Sequence, residues 1–215
     1  LLAKRTYEIW TFVAEMATKM AVAQRSGSRE RKQAISEDLC EGLLRLGPTF
    51  VKLGQVLSVR PDIVPGDVIA ELEHLQDAVP PADPDEIRSM LESELGGTIA
   101  ERFASFEPTP LASASIAQVH RATLLDGRRV AIKIQRPGIE SRIRSDLHIL
   151  YSLAHLVAGR ISLPGLYTPV GIIREFEAAM QLELDFLQEA RAAHRFRVSF
   201  SDQPDIAVPE IYEEM

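Results

Sequence analysis

Apolar residues recur at helical spacing through the first part of the chain. In LLAKRTYEIWTFVAEMATKMAVAQR, Ile9, Phe12, Val13, Met16 and Met20 share one side with charges elsewhere, and RKQAISEDLCEGLLRLG repeats the pattern with Ile35, Leu39, Leu43, Leu44 and Leu46 before Gly47. Each segment predicts an amphipathic helix. Pro48 suits the first turn of a third helix, where its missing N–H is not needed, and Pro61 closes that helix. A short helix over PGDVIAELEHLQD and a linker AVPPADP follow. ADPDEIRSMLESELGG then predicts a helix with Asp83 as N-cap, Pro84 at the first position and Gly96 at the end.

The period changes over residues 103 to 135, which are rich in Ser, Ala, Val and Ile. Asp126-Gly127 between two β-compatible runs is a strong hairpin signal. Val130, Ile132 and Ile134 would line one face of the returning strand, with Ala131, Lys133 and Gln135 on the other. Helical spacing then resumes. Pro137 starts PGIESRIRSDLHILYSLAHLVAGR, which Gly159 closes, and Pro169 leads into VGIIREFEAAMQLELDFLQEARAAHRF, read as one helix bearing Glu175, Glu177, Glu183, Asp185 and Glu189. DIAVPEIYEEM reads as the beginning of a further strand. The pattern predicts an α+β chain whose helical part precedes a small antiparallel sheet.

Composition narrows this picture. The 215 residues are 46% hydrophobic and 26% charged, enough for a substantial core. A net charge of −7 argues against nucleic acid as the main partner. The single cysteine, Cys40, forms no internal disulfide, and no Cys/His cluster has metal-ligand spacing, so a reducing compartment is the default and no metal site is assigned. No apolar run reaches the ~18 residues of a membrane span; the stretch ISLPGLYTPVGII is cut by Pro164 and Pro169. The chain opens without methionine and stops at IYEEM, and so reads as a piece of a longer protein.

Lys133 is the first chemical question, because burying an unpaired charge among apolar strand residues costs several kcal/mol. Val130-Ala131-Ile132-Lys133 matches the protein-kinase strand motif V-A-I-K, whose lysine contacts the α- and β-phosphates of ATP and a helix glutamate. A charged residue protecting a sheet edge would also account for it. The stretch LASASIAQVH stands where a kinase has its glycine-rich loop, and Ala112, Ser113, Ala114, Ser115, Ile116 and Ala117 include no glycine. These residues are small enough for close approach but restrict positive φ. Lys52 and Gln55, three apart on the third helix, flank Gly54, where Ala would favour a helix by about 1 kcal/mol. A plain helix surface would explain that pair taken alone. Glu175 and Glu177 read as a solvated acidic face, and His120 as structural.

Taken together and in order, these motifs resemble the UbiB family of atypical kinase-like ATPases, also called aarF-domain or ABC1-type kinases, whose members support ubiquinone and other prenyl-lipid metabolism. The resemblance rests on Lys52-Leu53-Gly54-Gln55 as a K-x-G-Q motif, ASASIAQVH as the alanine-rich loop, VAIKIQRPGI as the lysine strand, and Glu183-Leu184-Asp185 with Glu189 in ELDFLQEA. It implies a kinase-like N-lobe, a small antiparallel sheet with an αC-type helix over 99–215, preceded by a helical K-x-G-Q extension over 1–98. It implies that Lys133 pairs with Glu189 and faces ATP, that Ala112 to Ala117 cover the nucleotide, and that Lys52 and Gln55 meet Glu183 and Asp185, with Gly54 letting the helix approach the lobe. Spacing alone does not select Glu189 among the helix's carboxylates. Asp185 and Glu189, four apart, would share a face and need cations against them.

The resemblance further implies ATP hydrolysis or phosphorylation of a small or lipid-like substrate, with protein phosphorylation disfavoured by the extension. Mg²⁺ would be held by a C-lobe beyond this chain, since no H-R-D-like or D-F-G-like run occurs. The piece alone is expected to be inactive. Partners implied are nucleotide, a prenyl-lipid or proteins of its synthesis, and a membrane surface, with a cytoplasmic location peripheral to the inner face of a membrane. Two alternatives stand: a nucleotide-binding regulator that transfers no phosphate, and a helical scaffold that binds a partner or membrane through the first helix, where Trp10, Phe12, Lys4, Arg5 and Lys19 are amphipathic.

Overall fold

The structure, a computed structural model, describes residues 2–26, 29–77, 80–159 and 167–212. The first helical pattern becomes α1 (Leu2–Ser26), α2 (Arg29–Leu46), α3 (Pro48–Ser58) and α4 (Gly66–Leu72), the last running into a 3-10 turn over Glu73–Asp77. Gly47 separates α2 from α3 at φ 91°, a conformation glycine adopts without steric cost. α5 (Pro84–Leu95) has the expected ends: the Asp83 carboxylate accepts from the N–H groups of Asp85 and Glu86, and Gly96 is left-handed at φ 65°. A single helical turn, α6 (Ile99–Arg102), leads into the sheet.

The sheet is antiparallel, built from β1 (Phe103–Phe106), β2 (Ala112–Ser113), β3 (Ala117–Leu124) and β4 (Arg129–Gln135). β3 is its spine. β4 pairs along one edge of β3, while β1 and β2 pair in succession along the other. The β3–β4 hairpin turns at Gly127, whose φ is 88° and whose N–H donates to the Leu124 carbonyl at 2.9 Å. One sheet face is closed: Val130, Ile132 and Ile134 pack with Ala122 and Leu124 against Ile87 and Leu91 of α5. Across it, Val119 is half-buried, and Ala131 and Lys133 are exposed.

After the sheet come α7 (Ile139–Val157), α8 (Pro169–Leu184) and α9 (Phe186–Ser199). A second apolar cluster joins α1–α4 to α7 and α8, with Ile9, Phe50, Leu72, Leu75, Phe176 and Met180 at most 3% exposed. Met20 and Leu44, predicted on apolar faces, are 41% and 37% exposed instead. Arg5 of α1 fastens this cluster. Its guanidinium grips the wholly buried Asp146 of α7 at 2.7 and 2.8 Å and donates to the Leu46 carbonyl at the end of α2.

Two of the expected elements differ. The single helix predicted from Val170 is two helices, because Asp185 leaves helical geometry at φ −89°, ψ 83° and its carboxylate caps α9 by accepting from the Gln188 N–H at 3.0 Å. The strand expected from Asp205 does not form over 205–212, and 213–215 lie outside the described residues, as do 78–79 of the predicted linker and 161–166 of the apolar stretch.

Candidate functional site

The register of the sheet sets Ala112, Val119 and Lys133 side by side on β2, β3 and β4, so all three share the open face. Lys133 reaches from that face to the first turn of α9. Its Nζ donates to Glu189 Oε2 at 2.5 Å and lies 4.6 Å from the centroid of the Phe186 ring. The pair is partly hydrated, with side chains 40% and 60% exposed. Gln135, two residues along the same face, donates to the Leu184 carbonyl at 2.7 Å. That bond anchors the end of α8 to β4 at the point where the chain breaks to start α9. The break therefore separates two carboxylates by function: Glu183, before it, turns to α3, and Glu189, after it, turns to the sheet.

Two ion pairs link α3 and the residues just after it to α8, in opposite chain order. Lys52 Nζ donates to Glu183 Oε1. Just past the end of α3, Arg60 Nη1 donates to Glu175 Oε2 at 2.9 Å, so residues eight apart on one segment meet residues eight apart on the other. Arg60 also forks onto Asp62 at 2.9 Å through Nε and Nη2 and covers the Tyr167 ring at 4.9 Å. The Arg60 hydrogen bonds hold the Asp62 carboxyl down at about 2, and Asp62 and Glu175 together push the Arg60 guanidinium above its ordinary range. The acidic face read as merely solvated is thus engaged: Glu175 pairs with Arg60, and Glu177 accepts from the Tyr151 hydroxyl at 2.6 Å, which raises that phenol.

The other residues expected beside Lys52 lie elsewhere. Gln55 does not reach the carboxylates; its Nε2 donates to the Leu75 carbonyl at 3.2 Å, which fixes α3 on the 3-10 turn. Asp185 is the cap of α9 and its carbonyl accepts from the Glu189 N–H at 3.4 Å, so it stands one turn before Glu189, while the ion pair of Lys52 is with Glu183. Gly54 does permit close packing, but against α2 and the turn rather than the sheet: a Cβ there would lie 2.4 Å from Leu75 Cδ1 and 3.0 Å from Leu43 Cδ1.

Ala112 to Ala117 form a tight loop at the sheet end. Ala112 and Ala114 are exposed, Ser113 is half-buried, and Ser115, Ile116 and Ala117 are buried. The Ala114 N–H donates to the Ala117 carbonyl at 2.8 Å. No non-glycine residue among those described has positive φ, so the loop turns within ordinary backbone space. Arg136, at the end of β4, holds it. Nε donates to the Ala114 carbonyl at 2.9 Å, and Nη2 to Ser113 Oγ at 2.8 Å and the Pro80 carbonyl at 2.7 Å. His120 is structural: 1% exposed, stacked on Phe106 at 5.1 Å, with Nδ1 against the Glu107 carbonyl at 3.0 Å.

Arg60 and Arg136 escaped the sequence reading. Arg60 stands two residues before an aspartate, a spacing that signals a local fork; Arg136 has no such signal. Hollows of about 390 Å³, beside Leu2, His148 and Tyr151, and about 360 Å³, beside Cys40, Glu71 and His74, lie away from Lys133. The Lys133 face is open, as one wall of a cleft would be. Among the described residues no group of three or more His, Cys, Asp or Glu side chains could hold a metal ion.

A model of the ABC1 atypical kinase-like domain matches residues 74–215. The chain is 42% identical over 207 residues to the uncharacterized protein sll0095 of Synechocystis, covering 94% of this chain and 36% of that protein. It is 46% identical over 169 residues to the probable protein kinase UbiB of Cellvibrio japonicus and 43% identical over 169 residues to that of Marinobacter nauticus, covering 79% of this chain and 31% of each relative. Among solved structures, the complex of Rv3197 with erythromycin from Mycobacterium tuberculosis is similar with a TM-score of 0.51 and 33% identity, over 73% of this chain and 40% of that one. The chain spans about a third of the length of the curated relatives it matches.

Proposed function

Because the chain belongs to the UbiB family of ABC1 atypical kinase-like proteins, we propose that it supplies the nucleotide-binding lobe of an ATP-dependent phosphotransferase or ATPase. The observation that carries this reading is Lys133, paired with Glu189 on the open face of a sheet whose other face is sealed. A nucleoside triphosphate suits such a surface. Its base is flat and apolar enough to lie along Val119 and Ala131, and its phosphates need a cation held in place rather than one free to swing away. Lys133 Nζ would meet α- and β-phosphate oxygens, with Glu189 orienting the ammonium and the Ala/Ser loop closing over the phosphates.

Bound Mg²⁺ neutralises charge developing on the transferred phosphoryl group. Among the described residues no group of three or more His, Cys, Asp or Glu side chains could hold it. With α3 and its following turn linked to α8 by two ion pairs, the reading favours a small or lipid-like acceptor over a protein, although the relatives bear the name probable protein kinase. The name UbiB supports a prenyl-lipid of ubiquinone metabolism as the substrate class, met at a membrane surface; no helix among the described residues is long and apolar enough to cross one.

The test is ATP binding by the full protein, measured by calorimetry. Affinity should fall in Lys133→Ala and stay unchanged in Lys19→Ala, whose ammonium pairs with Glu15 and Asp38 on α1 and α2. Equal ATP affinity in wild type and Lys133→Ala would overturn the reading.

A further inference from the structure

A loop that receives phosphates must turn its N–H groups toward them and its carbonyl oxygens away, since a carbonyl facing an anion is repulsive. Glycine-rich loops reach such shapes through positive φ. This loop has no glycine and no positive φ, so its shape must be imposed from outside. Arg136 is in position to do so. It takes up the Ala114 carbonyl with Nε, and its own backbone N–H takes up the Ile116 carbonyl at 2.9 Å. Its Nη2 is divided between Ser113 Oγ and the Pro80 carbonyl.

The arrangement is unusual for a half-buried arginine, because all three side-chain acceptors are uncharged. Burial pushes the guanidinium down from its ordinary value. A planar fork with fixed donor directions can satisfy three acceptors from three chain segments at once, which a lysine ammonium on a flexible stem does not reproduce. The Pro80 bond adds a second connection. Residues 80–82 leave the helical part of the chain and run under the loop, where the Ala82 N–H donates to Gln118 Oε1 of β3 at 3.2 Å. Arg136 thus ties the loop both to the sheet end and to the segment arriving from α4.

We propose that Arg136 is a positioning residue for the nucleotide site: its guanidinium replaces glycine flexibility as the device that shapes the Ala/Ser loop, drawing the Ala114 carbonyl inward so that the loop's outer surface accepts phosphates through N–H groups other than that of Ala114, which the Ala117 carbonyl already takes up. The proposal rests on the nucleotide reading above. It predicts that the fork, and not the charge alone, sets phosphate affinity. Arg136→Gln and Arg136→Lys should therefore behave alike.

Both variants are compared with wild type in the full protein, by calorimetry with ATP and with adenosine and by hydrogen exchange of the amides of 112–117. Losing one charge-assisted clamp should weaken ATP binding about 10-fold in both variants, with adenosine affinity within about 2-fold, since adenosine has no phosphates for the loop to meet. Loop amides should exchange about 10-fold faster while those of β4 keep their protection. Wild-type ATP affinity in Arg136→Lys would overturn the fork, leaving a role for charge only. Equal losses for ATP and adenosine would overturn positioning in favour of a general structural role. If wild type binds no ATP, the nucleotide reading fails and this proposal with it, while faster loop exchange in the variants would still record the clamp.

Discussion

The Lys133 ammonium is held from two sides, by the Glu189 carboxylate at 2.5 Å and by the Phe186 ring at 4.6 Å, and both holders come from the first turn of α9. One helix start therefore decides where the sheet's exposed cation points. Glu189→Gln keeps the shape but removes the charge that orients Lys133. ATP turnover by the full protein is expected to fall about 100-fold in Lys133→Ala and by a smaller factor in Glu189→Gln, in line with losing a preorganised cation at developing phosphate charge. Steady-state kinetics on the two variants checks this; a more damaging Glu189→Gln would reverse the assigned roles.

The Lys52–Glu183 link between α3 and α8 predicts a coupling that a double-mutant cycle can read. Lys52 and Glu183 are 19% and 43% exposed, so hydration discounts their attraction to about 0.3–1 kcal/mol. Lys52→Glu should be destabilising by a similar amount, and adding Glu183→Lys should restore much of the loss. Chemical denaturation of the four proteins gives the coupling energy. A value of zero would mean that the contact contributes nothing to holding α3.

What was readable in the sequence was local. The β3–β4 hairpin is encoded by Asp126-Gly127 and alternating Val130, Ile132 and Ile134, and α5 by Asp83, Pro84 and Gly96, all within a few residues of what they specify. The break between α8 and α9 was not readable, because Asp185 sits in an unbroken run of helix formers and becomes a cap only when Gln135 draws the Leu184 carbonyl to β4. Arg136 was hidden for a related reason. Two of its three acceptors are carbonyls 22 and 56 residues away, and a carbonyl carries no residue-specific signature. Gln55 misled the reading because an amide donates to a backbone oxygen as readily as to a carboxylate.

The Arg5–Asp146 pair should be the most sensitive ionic contact in the helical part. Burial alone would lower the Arg5 guanidinium, yet its hydrogen bonds and charge contact with Asp146 hold it above its ordinary value. Asp146→Ala leaves Arg5, 15% exposed, with Glu8 at 3.6 Å as its remaining counter-charge, and is expected to cost up to about 3–5 kcal/mol. The matched apolar double Arg5→Met/Asp146→Leu should recover most of that, since removing both charges leaves neither unpaired. Thermal melting of the two variants checks the order; a double variant no better than the single would refute it.

Acid should release Asp62 from Arg60. Arg60 lowers the Asp62 carboxyl from 3.8 to about 2, so between these values the folded protein binds fewer protons than the unfolded chain. Stability from this group is therefore complete above about pH 4 and lost as the pH falls toward 2. The melting-temperature difference between wild type and Asp62→Asn should be largest near neutrality and shrink on acidification through that window. A difference independent of pH would show that Asp62 acts without its charge.

Gly54 sets two effects of opposite sign against each other. Ala in a helix interior is favoured over Gly by about 1 kcal/mol, so Gly54→Ala would stabilise α3 in isolation. In the folded chain the new Cβ meets Leu75 Cδ1 at 2.4 Å, and Leu75, fully buried on the 3-10 turn, has little room to withdraw. Overpacking of this kind costs about 1–3 kcal/mol, which exceeds the propensity gain, so net destabilisation is expected. The separation of the two terms is measurable. In a Leu75→Ala background the closest methyl is gone and Leu43 Cδ1 at 3.0 Å is the tightest contact left, so the same Gly54→Ala change should cost clearly less than in the wild-type background. Denaturation of the single and double variants gives the cost in each background, and destabilisation of equal size in both would show that Gly54 serves some need other than the approach of Leu75.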